Sequence, residues 1–249
     1  GGKMSEKEVS SIKDISESKL ERLSGKKIYF GHQSVGLNIL DGVKDIIKEN
    51  PKIKLNIVKT NEKADFSVPA VAHFFVGENT DPASKIRSFA ENIEKGAGNN
   101  ADIAFFKFCY VDFHAASDIE KVFLEYKNTM ERLKKEYPST EFIHVTAPLT
   151  TQTSAVKAIV KRLLGKPDNN INRNKFNELL HREYADKEPI FDLAKTESTY
   201  PNGSRASFTS GGANYYSLVP EYTDDGGHLN ERGRKVVALE LLNFLSNLK

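Results

Sequence analysis

Cysteine is nearly absent from this chain: Cys109 is the only one among 249 residues. A single thiol cannot close an intramolecular disulfide, and it excludes a cysteine-rich zinc site. Long hydrophobic runs are lacking as well. No stretch reaches the roughly 18 apolar residues that a membrane-spanning helix requires, so no span is expected. A charge excess is also missing, since 36 Lys and Arg stand against 34 Asp and Glu, a formal net charge of +2. These charges are spread along the chain and form no stripe that would attract a phosphate backbone, which argues against nucleic acid as a partner. Internal repeats, low-complexity tracts and linkers are not seen. The first residues, Gly1-Gly2-Lys3-Met4, carry no apolar signal core, and the compartment is left open between export and cytoplasm.

Hydrophobic residues make up 39% and charged residues 28%, the balance of a globular protein. The length suffices for one large α/β domain with its own core. Residues 1–26 read as a polar N-terminal extension, with Val9, Ile12, Ile15 and Leu20 at helical spacing over 5–24, and 27–249 as the domain. Lys27-Ile28-Tyr29-Phe30 is a short buried strand that Gly31 ends. From Val35 the period changes: Leu37, Leu40, Val43, Ile46 and Ile47 line one helical face, closed by Asn50-Pro51. Further strands are predicted at 53–58, 102–110, 141–147 and 189–193. Helices are predicted around 82–95, 117–136 and 170–185, with a last one from Glu231 to Leu248.

Five strands alternating with helices imply a parallel sheet covered on both faces, a three-layer α/β/α sandwich. Ligands of such sheets bind beyond the carboxyl ends of the strands, so the loops after 31, 58, 110, 147 and 193 are where chemistry is expected. The longest stretch without periodicity, 196–224, is rich in Gly, Ser, Asn and Tyr and reads as the rim of an active site.

Two segments carry candidate chemistry. In Gly31-His32-Gln33-Ser34-Val35-Gly36, a serine stands at the start of a helix, near amides that favour developing negative charge. The same position also suits a helix cap. In Asp224-Asp225-Gly226-Gly227-His228-Leu229-Asn230, an acid precedes a histidine by three residues, a spacing that can supply a base and the group that orients it. A Gly-Gly turn with solvated carboxylates is the alternative for that segment taken alone.

Together the two segments resemble the SGNH or GDSL hydrolase superfamily, in which a serine follows the first strand and an Asp-x-x-His pair precedes the last helix. The resemblance runs from about Lys27 to Lys249 and implies a flavodoxin-like sandwich with a five-stranded parallel sheet. It implies Ser34 as nucleophile, His228 as general base and Asp225 as its orienting acid, with no cofactor and no metal. The implied activity is hydrolysis of a carboxylic ester through an acyl-enzyme, with O-acetyl groups on carbohydrate as a substrate class. An O-acyltransferase and a catalytically impaired carbohydrate-binding protein are alternatives on the same fold.

The chain departs from the family pattern in two places. Gly-Asp-Ser-Leu is replaced around Ser34, and the Gly-x-Asn-Asp block falls on Cys109-Tyr110-Val111-Asp112, where Val111 has no side-chain donor for an oxyanion. Gly77 and Asn79, in Gly77-Glu78-Asn79-Thr80-Asp81-Pro82, are the replacement candidates, although Asn79 is also placed to cap the helix that follows. His32 is a candidate for substrate binding or for bracing the turn. Asp112 and His114 could pair with His32 around a metal, a weaker reading because the ligand spacing is not compact. Cys109 reads as packing, and His73, His144 and His181 as structural or surface residues. Tyr200, Tyr215, Tyr216 and Tyr222 are either sugar-stacking rings or loop anchors.

Overall fold

The computed structural model describes residues 11–60, 68–152 and 168–249. Val9 and the first part of the predicted 5–24 helix lie outside them. The extension enters as a single turn at Ile12–Asp14 followed by α1 (Glu17–Ser24), which buries Leu23. Next come β1 (Lys27–His32) and α2 (Ser34–Glu49), separated by one residue. The chain continues through β2 (Ile57–Lys59), β3 (Ala70–Phe75), α3 (Pro82–Asn92) and β4 (Ile103–Phe106). After α4 (Ile119–Glu136), the strand predicted at 141–147 forms as two pieces, β5 (Glu141–Phe142) and β6 (His144–Val145). Then follow α5 (Asn170–Tyr184), β7 (Ile190–Phe191), α6 (Leu193–Ser198), β8 (Ser207–Ser210), β9 (Ala213–Tyr216) and α7 (Glu231–Asn247).

Five strands form a parallel sheet in the order β2-β3-β1-β4-β5, and β6 pairs in parallel with β7 just beyond it. The Ile143 N–H donates to Ala104 O at 3.3 Å, so β5 and β6 run on along the same flank of β4. Alternation of side chains divides the core in two. Ile28, Phe30, Val71, Ile103 and Phe105 pack beneath α2 and α7, while Tyr29, Phe74, Ala104 and Phe106 face α3, α4 and α5. The expected three-layer sandwich is observed.

The strand beside β1 differs from expectation. It is β3, at 70–75, whereas the predicted 53–58 strand contributes only the short, largely exposed edge β2. The segment 196–224 is also more ordered than its composition suggested. It contains a hairpin whose two turn residues, Gly211 and Gly212, both have positive φ (60° and 81°), the backbone a tight right-twisting hairpin demands.

Three asparagines on the buried face of α5 fasten the neighbouring loops. Asn170, Asn174 and Asn177 each donate to and accept from the backbone of one residue, Thr150, Tyr216 and Ala147 respectively, at 2.7–3.0 Å. Each replaces a missing strand partner. Asn177→Ala strips two buried backbone groups of their partners, and a loss of about 2–4 kcal/mol is expected in urea unfolding at an unchanged m-value. A loss below about 0.5 kcal/mol would contradict this role for Asn177.

Candidate active site

The order of strand addition reverses at β1: the sheet grows through β3 on one side and β4 on the other, so the loops after all three open on one crevice. Ser34 lies there as the first residue of α2. The cap position belongs to Gln33, whose side chain makes no cap hydrogen bond. Ser34 Oγ stands 3.0 Å from His228 Nε2, and His228 Nδ1 stands 2.6 Å from Asp225 Oδ2. A carboxylate beside Nδ1 selects the tautomer with its proton on Nδ1, which leaves Nε2 to accept from the serine. The three residues predicted from the sequence therefore meet as one hydrogen-bonded chain.

Local backbone holds the acid and the base. Asp225 Oδ1 accepts the Gly227 and His228 amides at 2.9 and 2.8 Å, an Asx-type turn that fixes the carboxylate. The Gly227 N–H, followed by the His228 ring, holds the Asp225 carboxyl well below the usual carboxylate range. The Thr151 N–H donates to Gly226 O at 2.9 Å, and Asn38 on α2 accepts the Leu229 N–H at 3.2 Å. The histidine loop is thus tied to the helix that carries the serine.

Gln33 spans from the serine turn to the next loop, donating through Nε2 to Val76 O and Gly77 O, both at 2.9 Å. Gly77 has φ +50°, and a Cβ there would fall 2.6 Å from the Lys85 amide nitrogen, so only glycine fits. Asn79 does not cap the following helix. Asp81 takes that role by accepting the Ser84 N–H at 2.9 Å, while Asn79 Oδ1 accepts from Lys85 Nζ at 3.0 Å.

No protein-family model and no curated protein matches this sequence. Solved structures do match. A GDSL-like lipase from Bacteroides thetaiotaomicron superposes with a TM-score of 0.52 at 14% identity, over 90% of this chain and 91% of that one. An acetyl xylan esterase superposes with a TM-score of 0.51 at 15% identity, over 86% of this chain and 97% of that one. The chain has the SGNH/GDSL hydrolase fold.

Other candidate residues of this chain are taken up by the fold. His32, a candidate for substrate contact, is fully buried: Nδ1 lies 2.7 Å from Gln33 O and Nε2 2.9 Å from His73 Nδ1. Burial lowers its pKa to about 3, and it braces the turn from within. Asp112 does not join His32 or His114. It pairs with Lys85, and among the described residues no group of three His, Cys, Asp or Glu could hold a metal. Cys109 is buried. The tyrosines serve chiefly as anchors: Tyr222 is buried with its hydroxyl donating to Thr199 O at 3.0 Å, Tyr216 stacks under Arg205 at 3.3 Å, and Tyr215 packs on Phe208.

Tyr110 was not singled out by the sequence, although the third-block match fell on its segment. Its ring meets His228 edge-on, with ring centroids 5.7 Å apart and the hydroxyl 3.5 Å from Nδ1. Behind it lies buried Arg173, whose Nε donates to Tyr110 O at 2.8 Å and whose Nη1 donates to Thr150 Oγ1 and Asn170 Oδ1, both at 2.7 Å. Burial lowers the Arg173 pKa to about 10. Glu197, on α6, is buried near Arg173. It accepts the Leu149 N–H, and its Oε2 has no hydrogen-bond partner among the described residues.

Burial raises the Glu197 pKa to about 8. An unfolded glutamate titrates near about 4.3, so between these values the folded state binds a proton that the unfolded state has released. This contribution to stability is complete below about pH 4.3 and is lost as pH rises through 8, at up to about 1.4 kcal/mol per unit. Glu197→Gln, uncharged throughout, is expected to flatten the decline in Tm between pH 5 and 8. Parallel Tm profiles for parent and variant would refute this assignment.

Proposed function

We propose that this chain is a serine esterase that cleaves a carboxylic ester through an acyl-enzyme on Ser34, with O-acetyl groups on carbohydrate as its substrate class. The observation that carries the reading is the chain Ser34 Oγ to His228 Nε2 to Asp225, at 3.0 and 2.6 Å. A serine hydroxyl is a weak nucleophile until a base accepts its proton, and a base needs a fixed tautomer, so both requirements are addressed in one arrangement.

In the first step, Ser34 Oγ attacks the ester carbonyl carbon as its proton passes to His228 Nε2. The imidazolium so formed is stabilised by ionised Asp225. The carbonyl oxygen becomes an oxyanion near the start of α2, where helix amides favour negative charge, and the Gly77 amide and the Asn79 side chain are its further donors in this reading. Collapse of this intermediate expels the alcohol, which takes the proton from His228. Water then adds to the acyl-serine with His228 again as base, releasing the carboxylic acid and restoring the Ser34 hydroxyl.

The carbohydrate proposal draws support from the shared fold with an acetyl xylan esterase and from the openness of the triad. The His228 and Asp225 side chains are 41% and 58% exposed, an arrangement within reach of an ester carried on a polymer.

A fluorophosphonate probe is expected to label Ser34 in the whole protein, and Ser34→Ala to lose both labelling and turnover of p-nitrophenyl acetate. Full turnover by Ser34→Ala would exclude the serine mechanism. Asp225→Asn leaves the fold in place but loses the charge and favours the wrong histidine tautomer. A fall of about three to four orders of magnitude in kcat is expected, measured on the same ester.

A further inference from the structure

Beneath the Gly77–Thr80 loop lies a buried ion pair that the serine chain does not use. Lys85 Nζ is 2.6 Å from Asp112 Oδ2, and both side chains are wholly enclosed. Asp112 also holds two backbones: Oδ1 accepts the Thr80 N–H at 2.9 Å and Oδ2 the Cys109 N–H at 2.6 Å. Thr80 has φ 71°, a left-handed conformation that a β-branched residue adopts only where its surroundings impose it. The loop after β3 is therefore pinned at Thr80 by Asp112 and at Val76 and Gly77 by Gln33, the residue next to Ser34.

Lys85 Nζ also donates to Asn79 Oδ1 at 3.0 Å. An ammonium group has three donors and no acceptor, so Asn79 has to meet it with the carbonyl end of its amide. The Nδ2 end, with two N–H donors, is turned away from Lys85, on a residue that stands exposed. We propose that the Lys85–Asp112 pair orients and polarises the Asn79 amide so that Nδ2 supplies the oxyanion hydrogen bond that Val111 cannot.

The inference rests on the esterase reading and gives it a specific donor: Asn79 touches the oxyanion, and Lys85 and Asp112 are positioning residues. A cation bonded to Oδ1 withdraws electron density from the amide and makes Nδ2–H a stronger donor. Because the orientation is set before substrate arrives, little reorganisation is needed as charge develops on the carbonyl oxygen.

The test compares kcat and KM on p-nitrophenyl acetate for the full chain and for Ser34→Ala, Asn79→Ala, Asn79→Asp, Lys85→Met and the Asn79→Ala/Lys85→Met double variant. Asn79→Ala is expected to lower kcat about a hundredfold with KM within about twofold. Asn79→Asp keeps an acceptor for Lys85 but has no N–H to offer, and it is expected to fall at least as far. Lys85→Met should lose a similar factor, and the double variant should lose no more than the worse single one, because Lys85 acts through Asn79.

Wild-type kcat in Asn79→Asp would mean that only the contact with Lys85 matters, and it would overturn the proposal. Unchanged kcat in Asn79→Ala, or losses that multiply in the double variant, would do the same. If Lys85→Met does not fold, the two exposed Asn79 variants decide the matter. Full turnover by Ser34→Ala overturns the esterase reading itself, whereas an inactive Ser34→Ala beside a fully active Asn79→Ala overturns this inference alone.

Discussion

The close approach of α2 and α7 is the contact on which the site depends. At Gly42 a side chain would come within 2.3 Å of Arg234 O, so the two helices touch through backbone. Ion pairs Arg234–Asp45 (2.8 Å) and Lys235–Glu49 (2.7 Å) flank the contact, and Val43, Val237, Leu241 and Leu242 fill it with apolar volume. Ser34 begins one of these helices, and His228 lies three residues before the other. Seating the helices together sets two side chains 194 residues apart in sequence at hydrogen-bond distance. Asn38, by accepting the Leu229 N–H, ties the histidine loop down at the same junction.

Behind the exposed histidine and acid the site has a polar, enclosed foundation. Lys85 on α3, Arg173 on α5, Glu197 on α6 and Asp112 after β4 are all buried against the loops that follow the strands. Burying such groups is costly unless they are paired and hydrogen-bonded: Lys85 pairs with Asp112, Asp112 also accepts from the Thr80 and Cys109 backbones, Arg173 donates to Tyr110 O, and Glu197 accepts the Leu149 N–H. Loops have no ladder of their own to hold them. Side chains such as these, with the asparagines of α5, substitute for one, and so give irregular segments a single arrangement around the crevice.

Much of this was legible in the chain. The apolar faces of α2, α4 and α7 repeat at helical spacing, and β1 followed at once by α2 is visible as a change of period. The strand β3 was missed because Ala70, Val71 and Ala72 are small, with His73 breaking the apolar run; alanine favours strands weakly, and only the packing of Phe74 on Tyr29 shows that the segment is core. The hairpin after α6 was missed because its residues are polar or aromatic and half exposed, with no alternation to mark an inner face. Its Gly211-Gly212 turn was the available signal.

At the site, residue chemistry made Ser34, Asp225 and His228 candidates, and the resemblance of their two segments to the SGNH/GDSL pattern joined them into one set with a nucleophile, a base and an orienting acid. Which neighbours serve them was decided by tertiary structure. His32 lies two residues from Ser34 yet points into the core, because side chains alternate along β1 and its ring meets His73 on the adjacent strand. Asn79 is far from Asp112 in sequence, but Lys85 joins them through one buried ammonium group. Chemistry that resides in a residue type can be read from the chain, whereas burial, pairing and orientation depend on which segments the fold packs together.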